Sequence, residues 1–113
     1  MIDSTSSDTI KPNSEKQSVE QELVTARLSI IGLVQGVGYR SFTRRVASLH
    51  GVTGSVRNLP DGRVQVLAKG TQDGIDSLIC ELKKGPFMAR VEEIQIEWNP
   101  AEIIPEKDQF AVI

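Results

Sequence analysis

The chain has 113 residues, a formal net charge of −2, 39% hydrophobic and 4% aromatic residues, which describes one domain with a mostly aliphatic core and no room for a second folding unit. No apolar run is long enough to span a bilayer, so no membrane is expected as a partner. One histidine, His50, and one cysteine, Cys80, rule out an internal disulfide and fall short of a zinc ligand set.

Charge is unevenly spread. Residues 1–22 hold Asp3, Asp8, Glu15, Glu20 and Glu22 against Lys11 and Lys16, which leaves the rest nearly neutral. Such a body has no general attraction for a nucleic-acid backbone, so any anion it binds must be small and held locally. The same stretch is rich in serine and poor in large apolar side chains, and is expected to be a disordered tail preceding a domain over 23–113. It lacks the basic start and apolar run of a signal peptide, and the expected address is the cytoplasm.

In "TARLSIIGL", Ala26, Leu28 and Ile30 alternate with Arg27 and Ser29, a period-two pattern that predicts a strand. "GLVQGVGYR" (32–40) then places three glycines ahead of Arg40. "RSFTRRVASLHG" carries Phe42, Val46 and Leu49 at helical spacing, closed by Gly51 as a left-handed cap. "TGSVRN" and "GRVQVLAKG" read as a hairpin around "LPDG". "DGIDSLICELKKG" puts Ile75, Leu78, Ile79 and Leu82 on one helical face, with Asp73 expected as N-cap and Gly85 after two lysines. "VEEIQIEW" alternates through Ile94, Ile96 and Trp98, and "QFAVI" supplies a short closing strand. The order βαββαβ is the ferredoxin-like α+β arrangement, an antiparallel sheet with two helices on one face.

That order brings two distant segments together. A right-handed βαβ crossover leaves the C-terminal ends of its two strands on one edge of the sheet. A helix of about ten residues descends roughly 15 Å, and a strand of about five climbs back roughly 17 Å. The return ends near Asn58, level with Arg40. A glycine turn entering a helix exposes backbone N–H groups at the positive end of the helix dipole, Arg40 adds a planar fork for two oxyanion oxygens, and Asn58 offers an amide that can hold a water. No Cys, Ser or His stands in a nucleophile-and-base arrangement, which leaves water as the expected nucleophile. No calcium-type carboxylate loop is present, and neither a metal nor a cofactor is expected.

"GLVQGVGYR" resembles the phosphate-binding signature G-x-V-Q-G-V-x-[FY]-R of the acylphosphatase family. "GSVRNLPDGRV" (54–64) resembles its second signature, G-x-V-x-N-x-x-D-G-x-V, and "GP" at 85–86 with "ARVEEI" extends the likeness over about residues 24–113. The resemblance implies hydrolysis of small-molecule acyl phosphates to a carboxylate and inorganic phosphate without a metal. By the same resemblance the phosphate is held by Leu33, Val34, Gln35, Gly36, Val37 and Gly38 together with Arg40, while Asn58 positions the attacking water. A monomer is expected. Ser55 departs from the pattern, standing where the family usually carries an aromatic, which bears on packing rather than chemistry.

Other residues read as structural. His50 is expected to serve the end of the first helix, Cys80 to fill a small packing position, Tyr39 and Phe42 to pack, and Arg44 and Arg45 to form a solvated face. Two other functions compete. An RNA-binding module on this fold would need aromatic residues on the sheet, which are missing. A regulatory domain would keep the anion cradle without catalysis, and Asn58 argues against it because pure binding has little need of a water-orienting amide.

Overall fold

Alternate residues of a strand face opposite sides, and β1 (Leu23–Leu33) uses this to bury Ala26, Leu28 and Ile30 completely. The computed structural model describes residues 22–101 and 110–113. The tail expected over residues 1–22 lies outside them except for Glu22. Following β1 are α1 (Tyr39–Leu49), β2 (Thr53–Asn58), β3 (Val64–Thr71), α2 (Gln72–Lys84), β4 (Arg90–Trp98) and β5 (Phe110–Val112). No helix among the described residues is long and apolar enough to cross a membrane.

The sheet order is β4-β1-β3-β2-β5. β1 pairs antiparallel with β3 and β4, and β2 with β3, which is the ferredoxin-like arrangement. The closing strand changes the sheet's character: β5 lies parallel to β2, with Val56 opposite Val112, so the expected antiparallel sheet is mixed. Registers Leu28↔Val66, Val56↔Val66 and Leu28↔Ile96 align one row across four strands. Leu28, Val56 and Val66 of this row are buried under the helices, while Ile96 on the edge strand stays exposed. The opposite face carries Arg27, Ser29, Arg57, Gln65 and Lys69.

α2 buries Ile75, Leu78, Ile79 and Leu82 as its spacing predicts. Its N-cap, however, is Thr71, whose hydroxyl accepts from the Gly74 N–H at 3.0 Å; Asp73 sits in the first turn, where its charge favours the helix dipole. Cys80 is exposed rather than packed, one helical step past the apolar edge at Ile79. α1 buries Tyr39, Thr43, Val46 and Ala47. Leu49, expected on that stripe, is 80% exposed, because the buried i, i+4, i+7 set starts at Tyr39 instead of Phe42. His50 ends α1 through its backbone N–H, which donates to the Val46 and Ala47 carbonyls at 3.2 and 3.1 Å, and Gly51 follows at φ 69°.

Two residues fix the layers. Gly54, at φ 135°, lies so close to β3 that a Cβ would stand 1.8 Å from the Leu67 carbonyl oxygen, so any side chain there would push β2 off β3. Tyr39, fully buried, donates its hydroxyl to the Leu82 carbonyl at 2.7 Å and ties α1 to the last turn of α2. Burial pushes that hydroxyl well above the usual tyrosine range. The neutral phenol is therefore the folded form, and stability is kept below the unfolded-state value of about 10 and lost as pH rises beyond it. Tyr39→Phe is expected to cost about 1–2 kcal/mol at neutral pH and to flatten the loss of stability above about pH 10. Chemical denaturation of both proteins across that range checks it.

Candidate active site

The β1–α1 loop is shaped by glycine. Gly36 and Gly38 take φ of 76° and 81°, while Asn99 is the one non-glycine with positive φ among the described residues. Gln35 before them and Val37 between them therefore have negative φ, and such an alternation of sign along a loop is the backbone pattern of an anion-binding nest. L-residues at Gly36 or Gly38 would cost about 1–2 kcal/mol each. Gly38 then opens α1 without a side-chain cap and with no acidic residue in the first turn. The first N–H groups of the helix are thus left for an outside acceptor, and the dipole there favours an anion.

A cavity of about 120 Å³ lies over this loop, and Val34, Gly36, Gly38, Arg40 and Asn58 line it together. Arg40 and Asn58, expected to end level on one edge of the sheet, share this wall. Tyr39, Ser41 and Val112 complete the lining; sequence reasoning did not place them there. The Arg40 guanidinium donates from Nη1 to the main-chain oxygen of Ile113 at 3.0 Å, which ties it to the residue that follows β5. Of the other loop positions, Leu33 is exposed and Val37 packs partly against the core.

Gln35 turns its side chain to a different task. Its Nε2 donates to the Leu59 and Arg63 carbonyls at 2.8 and 2.9 Å, so both amide hydrogens clamp the β2–β3 turn to the loop. That turn is closed by Leu59 N–H to Arg63 O at 2.8 Å. It is stiffened by Asp61, whose carboxylate accepts from the Arg63 backbone N–H and Nε; the backbone bond, chiefly, holds the Asp61 carboxyl below its usual range. Asn58 immediately precedes this clamped segment, so its position depends on Gln35. Ser55 lies three residues before Asn58 on the outer face, opposite Leu67 and Ala111, where a larger side chain would cover the sheet and leave the cavity untouched.

A larger cavity, about 380 Å³, opens on the outer sheet face beside Arg27, Arg63, Gln65 and Glu97. It has no helix N-terminus or glycine nest, and its arginines are paired with Glu97 and Asp61. The smaller cavity is the better oxyanion site. No group of three or more His, Cys, Asp or Glu suited to a metal occurs among the described residues.

A ferredoxin-like fold carrying a glycine nest, a tethered guanidinium and an amide around one small cavity defines a protein that handles a small oxyanion. Residues 26–112 match the acylphosphatase family. An acylphosphatase of Salinibacter ruber is 47% identical over 81 residues, covering 72% of this chain and 83% of that protein. Another, of Caldivirga maquilingensis, is 43% identical over 90 residues, covering 79% and 93%. The solved structure of the acylphosphatase from Coxiella burnetii matches with a TM-score of 0.74 at 31% identity, over 83% of this chain and 96% of that one. The chain belongs to the acylphosphatase family.

The clamp yields a specific expectation. Gln35→Ala frees the β2–β3 turn from the loop and should lower kcat about tenfold by letting Asn58 drift, while stability falls by about 1 kcal/mol. Steady-state kinetics beside a thermal melt separates this from simple unfolding, which would remove activity only in proportion to the unfolded fraction.

Proposed function

We propose that the protein hydrolyses acyl phosphates, with the nest and Arg40 holding the phosphate and Asn58 placing the attacking water. The observation that carries this reading is the single cavity in which Gly36, Gly38, Arg40 and Asn58 meet. As a member of its family the chain is a hydrolase acting on acid anhydrides, and the geometry supplies a physical account of how.

The phosphate seats with its oxygens toward the loop N–H groups from Leu33 to Gly38, the N-terminus of α1 and the Arg40 fork. These fixed charges and dipoles stabilise the negative charge on the phosphoryl oxygens without reorganising during the reaction. A water held by Asn58 attacks phosphorus; the phosphorus–oxygen bond to the acyl group breaks, and its electron pair leaves on the carboxylate. The water's oxygen and protons end on inorganic phosphate, so the products are one carboxylate and one dihydrogen phosphate. The conjugate acid of that leaving group has a pKa of about 4, so it departs without a strong general acid. Ser41 lines the cavity, but the lone histidine, His50, is at the opposite end of α1, and a hydroxyl without a base is a poor nucleophile.

Positive charge in the site comes from Arg40 and backbone dipoles, so this chemistry needs no metal. Every residue given a role in this reading lies within one chain, so the reaction as proposed asks for no second copy. An exposed lone thiol at Cys80 suits a reducing compartment such as the cytoplasm.

Hydrolysis of an aryl acyl phosphate in EDTA, for the native chain beside Arg40→Ala and Asn58→Ala, tests the reading. Native activity should persist, with Arg40→Ala lowering kcat/KM about 10³-fold or more and Asn58→Ala lowering kcat about 10²–10³-fold. A native protein that binds phosphate through Arg40 but hydrolyses nothing would place it with regulatory domains instead.

A further inference from the structure

Asn58 is the last residue of β2, pairs with Val64 and lines the cavity, so whatever sets the β2–β3 register also sets where its amide stands. A slip of one residue would turn it to the outer face of the sheet. In a hairpin that register is fixed by the turn. Here Pro60, Asp61 and Gly62 form a three-residue loop, in which the Gly62 N–H donates to the Leu59 carbonyl at 3.1 Å and the Leu59 N–H to the Arg63 carbonyl at 2.8 Å. Gly62 takes the positive φ, 97°, that such a loop requires at its last position. With the Leu59 carbonyl given to Gly62, the Arg63 N–H goes to Asp61, whose Oδ1 accepts it at 3.1 Å while Oδ2 accepts from Arg63 Nε at 2.8 Å. Asp61 itself is exposed and does not line the cavity.

The same closure makes the grip of Gln35 available. Its Nε2 donates to the Leu59 and Arg63 carbonyls, and one nitrogen reaches both because the closed loop holds them side by side. Asp61 thus fastens the turn from its solvent side, and Gln35 fastens it to the β1–α1 loop. We propose that Asp61 is a positioning residue for the reaction, fixing Asn58 through the Arg63 N–H and the β2–β3 turn without touching the substrate. The proposal rests on the acyl phosphate reading above and on the role given there to Asn58.

The experiment measures kcat and KM for an aryl acyl phosphate, per folded molecule from a parallel thermal melt, in the native chain, Asp61→Ala, Asp61→Asn, Gln35→Ala and the Gln35→Ala, Asp61→Ala double variant. Asp61→Ala should lower kcat about fivefold through misplacement of Asn58, with KM held within about twofold because the cradle keeps its own N–H groups and Arg40. Asp61→Asn retains an oxygen for the Arg63 N–H and should keep most of kcat. The loss in the double variant should be smaller than the product of the single losses, since both act through one turn. Should Asp61→Ala fail to fold, Asp61→Ser takes its place; its hydroxyl makes the same turn more weakly, and its kcat should lie below that of Asp61→Asn. A native kcat in folded Asp61→Ala, an Asp61→Asn protein as slow as the alanine or serine variant, or single losses that multiply would each overturn the inference and leave the acyl phosphate reading standing. A folded native chain that hydrolyses nothing would overturn that reading, and the role of Asp61 with it.

Discussion

The site depends on a gap. β1 and β2 run parallel but β3 is inserted between them, so their C-terminal ends stand two strand spacings apart, about 9–10 Å. The loop leaving β1 and Asn58 ending β2 face each other across that gap, with the β2–β3 turn at its rim. Directly adjacent strands would leave too little room for a phosphate, and wider spacing would part the guanidinium from the amide. Gln35 keeps the two sides in register by bonding across to both ends of the turn.

Within this frame the electrostatics are local. The body of the chain is close to neutral, so in the proposed site the attraction for an oxyanion comes from groups concentrated at one point: the N–H groups of the loop around Gly36 and Gly38, the uncapped start of α1, and Arg40. Arginine is long and would spread over many rotamers, at an entropic cost on binding. Its bond to Ile113 restricts that freedom beforehand. Strand β5 therefore contributes more to the site than its three residues contribute to the core, where Phe110 alone is buried.

Much of this was legible from residue pattern. Alternation in "TARLSIIGL" and helical spacing through Ile75, Leu78, Ile79 and Leu82 identified the buried faces, and element order alone placed Arg40 level with Asn58. The failures have a common cause: periodicity reveals that a stripe exists but is weak on its phase and ends. Leu49 was assigned to a stripe that begins three residues earlier, at Tyr39, because an amphipathic tyrosine and a threonine do not register as apolar. Cys80 sat one step from the true edge, and Thr71 outcompeted Asp73 because the helix starts two residues sooner. The parallel pairing of β5 and its hold on Arg40 depend on long-range register, for which "QFAVI" has no local signal. Gln35 was visible as a loop residue; its two bonds to the turn were not, since they join positions 24 and 28 residues apart.

The central claim is that the nest between β1 and α1 is where phosphate binds. Titration of the ¹⁵N-labelled protein with inorganic phosphate reads it most directly, through the backbone amide shifts. The account predicts the largest shifts at Gly36, Val37, Gly38 and Arg40, with a smaller response at Asn58 and little at Arg27 or Gln65. Shifts concentrated on Arg27, Arg63 and Gln65, with the loop silent, would contradict it and move the oxyanion to the outer face of the sheet.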